Sequence, residues 1–272
     1  MNRPVTRVGF VGLGNIGKPM ALRLAAAESV DLAVYDVAPD PVAELVAAGA
    51  RAVGSVAELD VDVVCVMVRD DDQVRAVAAD VPAGTVVVIH STVAPETPAA
   101  LAADGRRVLD APVSGGPMGA ADGSLAIMVG GSEADVAVAR PALEAMGSTV
   151  VHAGPVGSGT RMKLARNLIH FVAFTAVTEA QRLAEAAGLD LVALGEVVRH
   201  TDAITGGPGA IMHRTTTAPI AEDDFWHGVF SHVAALGEKD LGFAIALADE
   251  LGVDVPVARE ALPRLGKGLG VR

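Results

Sequence analysis

Short apolar runs alternate with helix-forming stretches through the first half of the chain. The runs fall at Arg7–Val11, Asp31–Val37, Val61–Val68, Val86–Ile89 and Arg107–Leu109. They are rich in valine and do not alternate apolar with polar positions, which is how strands of a parallel sheet covered on both faces read. Helical patterns near Pro19–Ala27 and Pro41–Ala48 separate the first of them. Two more β-rich pieces follow at Ala126–Val129 and Thr149–His152. Alternating strand and helix predicts a doubly wound α/β domain.

The pattern changes near Gly159. A proline-free helical stretch runs from Thr160 to Ala187, and Gly188 suits its C-terminal cap. Helices are expected at Leu191–Arg199, Val229–Leu236 and Lys239–Leu251, with a glycine-proline break at Thr205–Gly209. The expected organisation is an α/β nucleotide-binding domain over residues 1–159. Residues 160–272 then form a long interdomain helix and an all-α domain.

Composition narrows the partners. With 272 residues, 51% hydrophobic and 3% aromatic, the chain can bury a large aliphatic core. The formal net charge of -12 argues against nucleic acid and anionic membrane surfaces. Scarce aromatics remove the stacking platforms that hold single strands. Cys65 is the single cysteine, so no disulfide can form within the chain, which fits a reducing compartment. No metal-ligand spacing occurs, and Met1–Arg7 leads into a strand without an apolar signal stretch. The expected setting is the cytoplasm.

The first strand ends in a glycine-rich turn, Gly12, Leu13, Gly14, Asn15, Ile16 and Gly17, that opens a helix. In that context GxGxxG binds a dinucleotide. Gly12 permits the tight turn, Gly14 lets the backbone approach a pyrophosphate, and Gly17 lets helix and strand pack closely. The helix N-terminus supplies free N–H groups and a positive dipole end. Asp36 ends the second strand, 19 residues after Gly17, where a carboxylate accepts from both ribose hydroxyls and repels a 2′-phosphate. NAD is therefore expected rather than NADP.

The segment Asp110–Gly131, DAPVSGGPMGAADGSLAIMVGG, is dense in glycine. Backbone N–H groups of a Ser-Gly-Gly turn, with the Ser114 hydroxyl, can form an anion site suited to a carboxylate. A plain turn between two elements would use the same residues. Lys163 and Asn167 are spaced i, i+4 and share a helix face. A lysine there can protonate an alkoxide as ammonium, or take a hydroxyl proton as free amine if its pKa is depressed.

The segments VGFVGLGNIGKPMA (Val8–Ala21), VYDVAPD (Val34–Asp40), HSTVAP (His90–Pro95), Asp110–Gly131, GSGTRMKLARN (Gly157–Asn167) and KDLGFAIALADELGVDVPV (Lys239–Val257) together resemble the β-hydroxyacid dehydrogenase family. Its 3-hydroxyisobutyrate dehydrogenase and tartronate semialdehyde reductase members are the most similar. The resemblance implies a Rossmann domain, an interdomain helix, a C-terminal domain like that of 6-phosphogluconate dehydrogenase, and a homodimer or homotetramer. It implies NAD-dependent interconversion of a small 3-hydroxy acid and its semialdehyde. Lys163 would be the acid/base with Asn167 as its partner. Ser114, Gly115 and Gly116 would hold the substrate carboxylate. Met67, Val68 and Thr92 would line the cofactor, and Lys239 would approach it where the C-terminal domain closes.

Three positions depart from the family pattern: Arg69 replaces a small residue or proline, Arg166 an asparagine, and His170 an apolar residue. Arg166 reads as a surface or interface charge. His170, at i+7 from Lys163, reads as a pocket residue or a helix-edge histidine. Thr201–Thr217 has no assigned role and is a candidate for substrate choice. The rival activities are an imine reductase on the same fold, which Lys163 opposes, and a dinucleotide-binding sensor without catalysis.

Overall fold

The computed structural model describes residues 5–212 and 216–272. Met1–Pro4 and the His213–Thr215 part of the Thr201–Thr217 stretch lie outside the described residues. The chain divides into two compact units, Met1–Arg166 and Asn167–Arg272.

In the first unit β1 (Thr6–Val11), α1 (Gly17–Ala25), β2 (Val30–Tyr35), α2 (Pro39–Ala47) and β3 (Arg51–Ala52) come first. Then follow β4 (Val63–Val66), α3 (Asp71–Asp80), β5 (Val86–Ile89), α4 (Glu96–Ala103) and β6 (Arg107–Asp110). The rest is β7 (Val113–Ser114), α5 (Gly116–Asp122), β8 (Ala126–Gly130), α6 (Glu133–Met146), β9 (Thr149–Gly154) and the start of α7 (Ser158–Ala186). Among the described residues these strands form a nine-stranded sheet of order β3-β2-β1-β4-β5-β6-β8-β7, with β9 paired to β8. Pairing is parallel from β3 to β6, antiparallel where β8 meets β6 and β7, and parallel again at β9. The doubly wound α/β architecture is thus present, with an antiparallel insertion beyond β6.

Every residue of β4 and β5 is buried, as strands covered on both faces must be. One face packs Phe10, Met20, Leu24, Val63, Val86 and Leu143, the other Val64, Val66, Val74, Val87 and Ile89. Cys65 belongs to this core, and burial pushes its thiol up to about 12. It is an inert small hydrophobe at neutral pH. Chain order reverses between β1 and β4, so the loops after these strands flank the crevice where open α/β sheets bind ligands.

The second unit is helical: the remainder of α7, then α8 (Leu191–Thr205), α9 (Phe225–Leu251), α10 (Pro256–Ala261) and α11 (Leu265–Gly268). The two helices expected at Val229–Leu236 and Lys239–Leu251 are one continuous helix, α9. Gly237 lies inside it, where a Cβ would stand 2.7 Å from the Leu265 side chain, so the glycine lets that side chain pack close. Glu179, buried on α7, accepts from Val257 N at 2.8 Å and Ala258 N at 3.1 Å, two orphan amides at the start of α10. No helix of the described residues is long and apolar enough to cross a membrane.

Candidate active site

The turn after β1 is built for a close neighbour. Gly12 has φ +95°, and a Cβ on it would stand 2.2 Å from Met67 O. A Cβ on Gly17 would stand 1.9 Å from Gly12 O. These two glycines are therefore required by backbone packing between the loops after β1 and β4 and by the start of α1. Gly14 differs: nothing lies within 4 Å of its Cβ position, and Gly14 and Asn15 are exposed. That is the space a pyrophosphate needs beside free amides. Asp36 sits just past β2, with Oδ2 accepting from Leu13 N at 2.5 Å and Oδ1 from Ala38 N at 2.8 Å. Its carboxylate is thereby held at the edge of the glycine turn with lone pairs left for ribose hydroxyls. These residues fit a dinucleotide with an unmodified ribose.

Behind this turn the loops after β4 and β5 are stitched together. Ser91 Oγ donates to Val68 O at 2.7 Å and accepts from Val68 N at 2.9 Å. Met67 and Val68 are half-buried and Thr92, next to Ser91, is exposed. Arg69 is exposed, and its N–H donates to Gln73 at 3.1 Å. His90 is buried, and its Nδ1 lies 2.8 Å from Ala111 O. A carbonyl only accepts, so Nδ1 carries the proton. Burial pushes this imidazole down to about 4, so it is neutral at physiological pH.

The reactive end gathers Lys163 and Ser114. Lys163 is 8% exposed. Its Nζ donates to Val113 O at 2.7 Å and to Ser114 Oγ at 2.9 Å. Its pKa is lowered from the ordinary lysine value, first by burial and then by the positive charge of Arg166 one turn along the helix. Arg166 is exposed, as expected of a surface charge, but it also acts on the lysine. Gly115 and Gly116 follow Ser114 at φ +136° and +62°, backbone that side-chain-bearing residues rarely adopt. No atom lies within 4 Å of the Gly116 Cβ position. Lysine, serine hydroxyl and open glycine backbone therefore converge at one place.

Asn167 and His170 lie further along α7 in the second unit, both half-buried. The His170 ring packs on Phe174 at 4.2 Å and Phe171 at 5.4 Å between centroids. Lys239 is exposed on α9, with its Nζ 3.2 Å from Asp240. Sequence reading gave no role to Asp110 or Ser91. The signal for Asp110 was a lone charge between apolar residues in VLDAPV; for Ser91 the sequence carried none.

Residues 7–154 match the NAD binding domain of 6-phosphogluconate dehydrogenase. Residues 157–265 match the domain described as NAD-binding of NADP-dependent 3-hydroxyisobutyrate dehydrogenase. An uncharacterized oxidoreductase of Mycobacterium tuberculosis is 47% identical over 97% of this chain and 94% of its own. The NAD-dependent L-serine dehydrogenase of Pseudomonas aeruginosa is 36% identical over 94% of this chain and 90% of its own. A Mycobacterium avium protein of known crystal structure superposes with a TM-score of 0.94, at 46% identity, over 98% of this chain and 99% of its own. Carrying both domains in order along nearly its whole length, the chain belongs to the β-hydroxyacid dehydrogenase family, as an NAD-binding oxidoreductase akin to the 3-hydroxyisobutyrate dehydrogenases.

Proposed function

We propose that the protein oxidises a short 3-hydroxy acid, or reduces the matching semialdehyde, with Lys163 as the acid/base. The observation that carries this reading is a buried lysine bonded to Val113 O and Ser114 Oγ, with its pKa lowered, beside an open Ser-Gly-Gly turn. Bound NAD supplies the hydride acceptor for oxidation and, once reduced, the donor for the reverse direction. In oxidation the free amine of Lys163 takes the substrate's hydroxyl proton; in reduction the ammonium gives it back. Burial makes the free amine available nearer neutral pH than in an ordinary lysine. An ammonium has three donors, and two are committed to Val113 O and Ser114 Oγ, leaving one for a substrate oxygen. In the free amine the two remaining N–H groups can keep Val113 O and Ser114 Oγ, which leaves the single lone pair for the substrate hydroxyl.

Ser114, Gly115 and Gly116 are assigned to the substrate carboxylate, Asn167 to the hydroxyl, and His170 to the pocket. Gly12–Gly17, Asp36, Met67, Val68, Thr92 and Lys239 are assigned to the cofactor. The Asp36 carboxylate favours NAD over NADP by repelling a 2′-phosphate. In this reading residues 1–159 serve the dinucleotide and residues 160–272 complete the enzyme. The L-serine-oxidising relative supports a 3-hydroxy acid that tolerates a 2-amino group. Exposed Leu168, Phe171, Phe174, Val192 and Phe243 support a homo-oligomer that covers them.

The test is a near-ultraviolet screen for reduced nicotinamide, using short 3-hydroxy acids, serine included, with NAD and with NADP. The expected result is turnover of at least one acid with a higher kcat/KM for NAD. Turnover of cyclic imines alone, or NADH binding with no turnover of any compound, would overturn the reading. A kcat/KM for NADP equal to that for NAD would overturn the cofactor preference.

A further inference from the structure

Asp110, fully buried at the end of β6, makes its bonds to the start of the helix that carries Lys163. Its Oδ1 accepts from Gly157 N and its Oδ2 from Thr160 N, each at 2.7 Å. The first amides of a helix have no partner within the helix. Here a carboxylate from a distant strand takes one of them and the amide just before the helix. One turn further on, Lys163 reaches back to Val113 and Ser114, a few residues past Asp110. The segment Gly157–Lys163 therefore donates to the segment Asp110–Ser114 at two points, through backbone amides at one and the lysine side chain at the other. Two such points fix both the axial position of the first turn of α7 and its rotation.

The joint leaves no slack. A Cβ on Gly130 would stand 2.4 Å from the Asp110 Oδ1, and one on Gly159 would stand 2.2 Å from Met128 O and 2.4 Å from Asp110 O. The missing side chains let the helix start sit directly against the ends of β6 and β8. Thr160, whose amide is one of the two donors to Asp110, is also fully buried.

We infer that Asp110 is a positioning residue: through the first turn of α7 it sets where the Lys163 nitrogen stands relative to the Ser114–Gly116 turn. This rests on the reading of Lys163 as the acid/base. The carboxylate is suited because it only accepts, on two oxygens, and two N–H groups face it. In Asp110→Asn one of those amides faces an NH₂ group, donor against donor, and the helix start must shift. Small misplacements of a reacting group cost large factors in rate.

The test is a double-mutant cycle of Asp110→Asn and Lys163→Ala, assayed at saturating NAD so that bound cofactor supports the fold. Leu143→Ala, a core truncation on α6 that touches none of these hydrogen bonds, is the control for lost stability. D110N is expected to lower kcat by about ten- to a hundredfold. Its Kd for NADH should stay within about threefold of wild type, and it should change the residual rate of K163A by less than about twofold. An equal loss in both backgrounds, or a kcat for D110N within about twofold of wild type, would overturn the inference. Wild-type turnover by K163A would instead overturn the acid/base reading, whatever D110N does. Should D110N not fold, Asp110→Ser, which keeps one acceptor, is judged by the same outcomes.

Discussion

Strand β4 and helix α8 are both rich in aliphatic side chains, yet every residue of β4 is buried and α8 buries none. The contrast extends to the units they belong to. In Met1–Arg166, Val63, Val86, Leu109 and Leu143 are fully enclosed by the helices flanking the sheet. In Asn167–Arg272 the core cluster is Phe230, Ala234 and Leu269, while Leu168 is 67% and Val192 69% exposed. Apolar sequence demands cover but does not say which surface supplies it. The first unit encloses its sheet between helices, whereas the second leaves several large apolar side chains exposed. The Lys163–Ser114 contact, on which the proposed chemistry depends, lies in the first unit.

The largest effect that sharpens this comparison is on stability. Leu143→Ala should cost about 2–5 kcal/mol in urea unfolding, the usual result of truncating an enclosed leucine. Leu168→Asp should change unfolding of the dissociated chain by no more than about 0.5 kcal/mol, as surface substitutions do. The proposed homo-oligomer further predicts that it weakens self-association at least about tenfold by sedimentation equilibrium, since a charge would be carried into the face that the proposal covers. Equal unfolding losses for the two variants, or unchanged association, would break the contrast.

A slightly smaller effect comes from His90, held neutral by burial in the first unit. Its folded pKa of about 4 lies below the ordinary 6.5. Between those values the unfolded chain takes up a proton that the folded chain refuses, so its contribution is intact above about pH 6.5 and is lost as pH falls toward 4. The loss approaches about 3 kcal/mol at 1.36 kcal/mol per pH unit. Paired urea titrations at neutral and mildly acid pH should show a shallower acid decline for His90→Phe than for wild type. Identical declines would remove His90 from the account.

The smallest effect is electrostatic. Arg166→Gln removes a positive charge that lowers the Lys163 pKa, so that pKa should rise. The acid limb of kcat/KM for alcohol oxidation, which needs the free amine, should move to higher pH. The shift is modest because Arg166 is exposed and screened by solvent. A limb that stays put or moves to lower pH would contradict this coupling.

Most of the strand frame was legible because strands buried on both faces show as valine runs: Val86–Ile89 is β5 residue for residue. The glycine turn and Asp36 were legible because each answers a local backbone or charge requirement. Strands β3 and β7, two residues each, are too short to carry any period. Helices α3 and α6 were not anticipated from the sequence, although their starts carry capping residues: Asp70 accepts from Gln73 N and Ser132 from Asp135 N. The work of Asp110 was not legible, because its partners Gly157 and Thr160 are brought to it only by the fold. Arg166 looked like a surface charge because its effect on Lys163 depends on how deeply the lysine is buried.

The account stands on Lys163, and purified Lys163→Ala measured for both NADH binding and turnover tests it most directly. The predicted result is a Kd for NADH within about threefold of wild type and a kcat lower by about 100-fold or more, the scale of lost acid–base catalysis. Turnover by that variant at a near wild-type rate would contradict it.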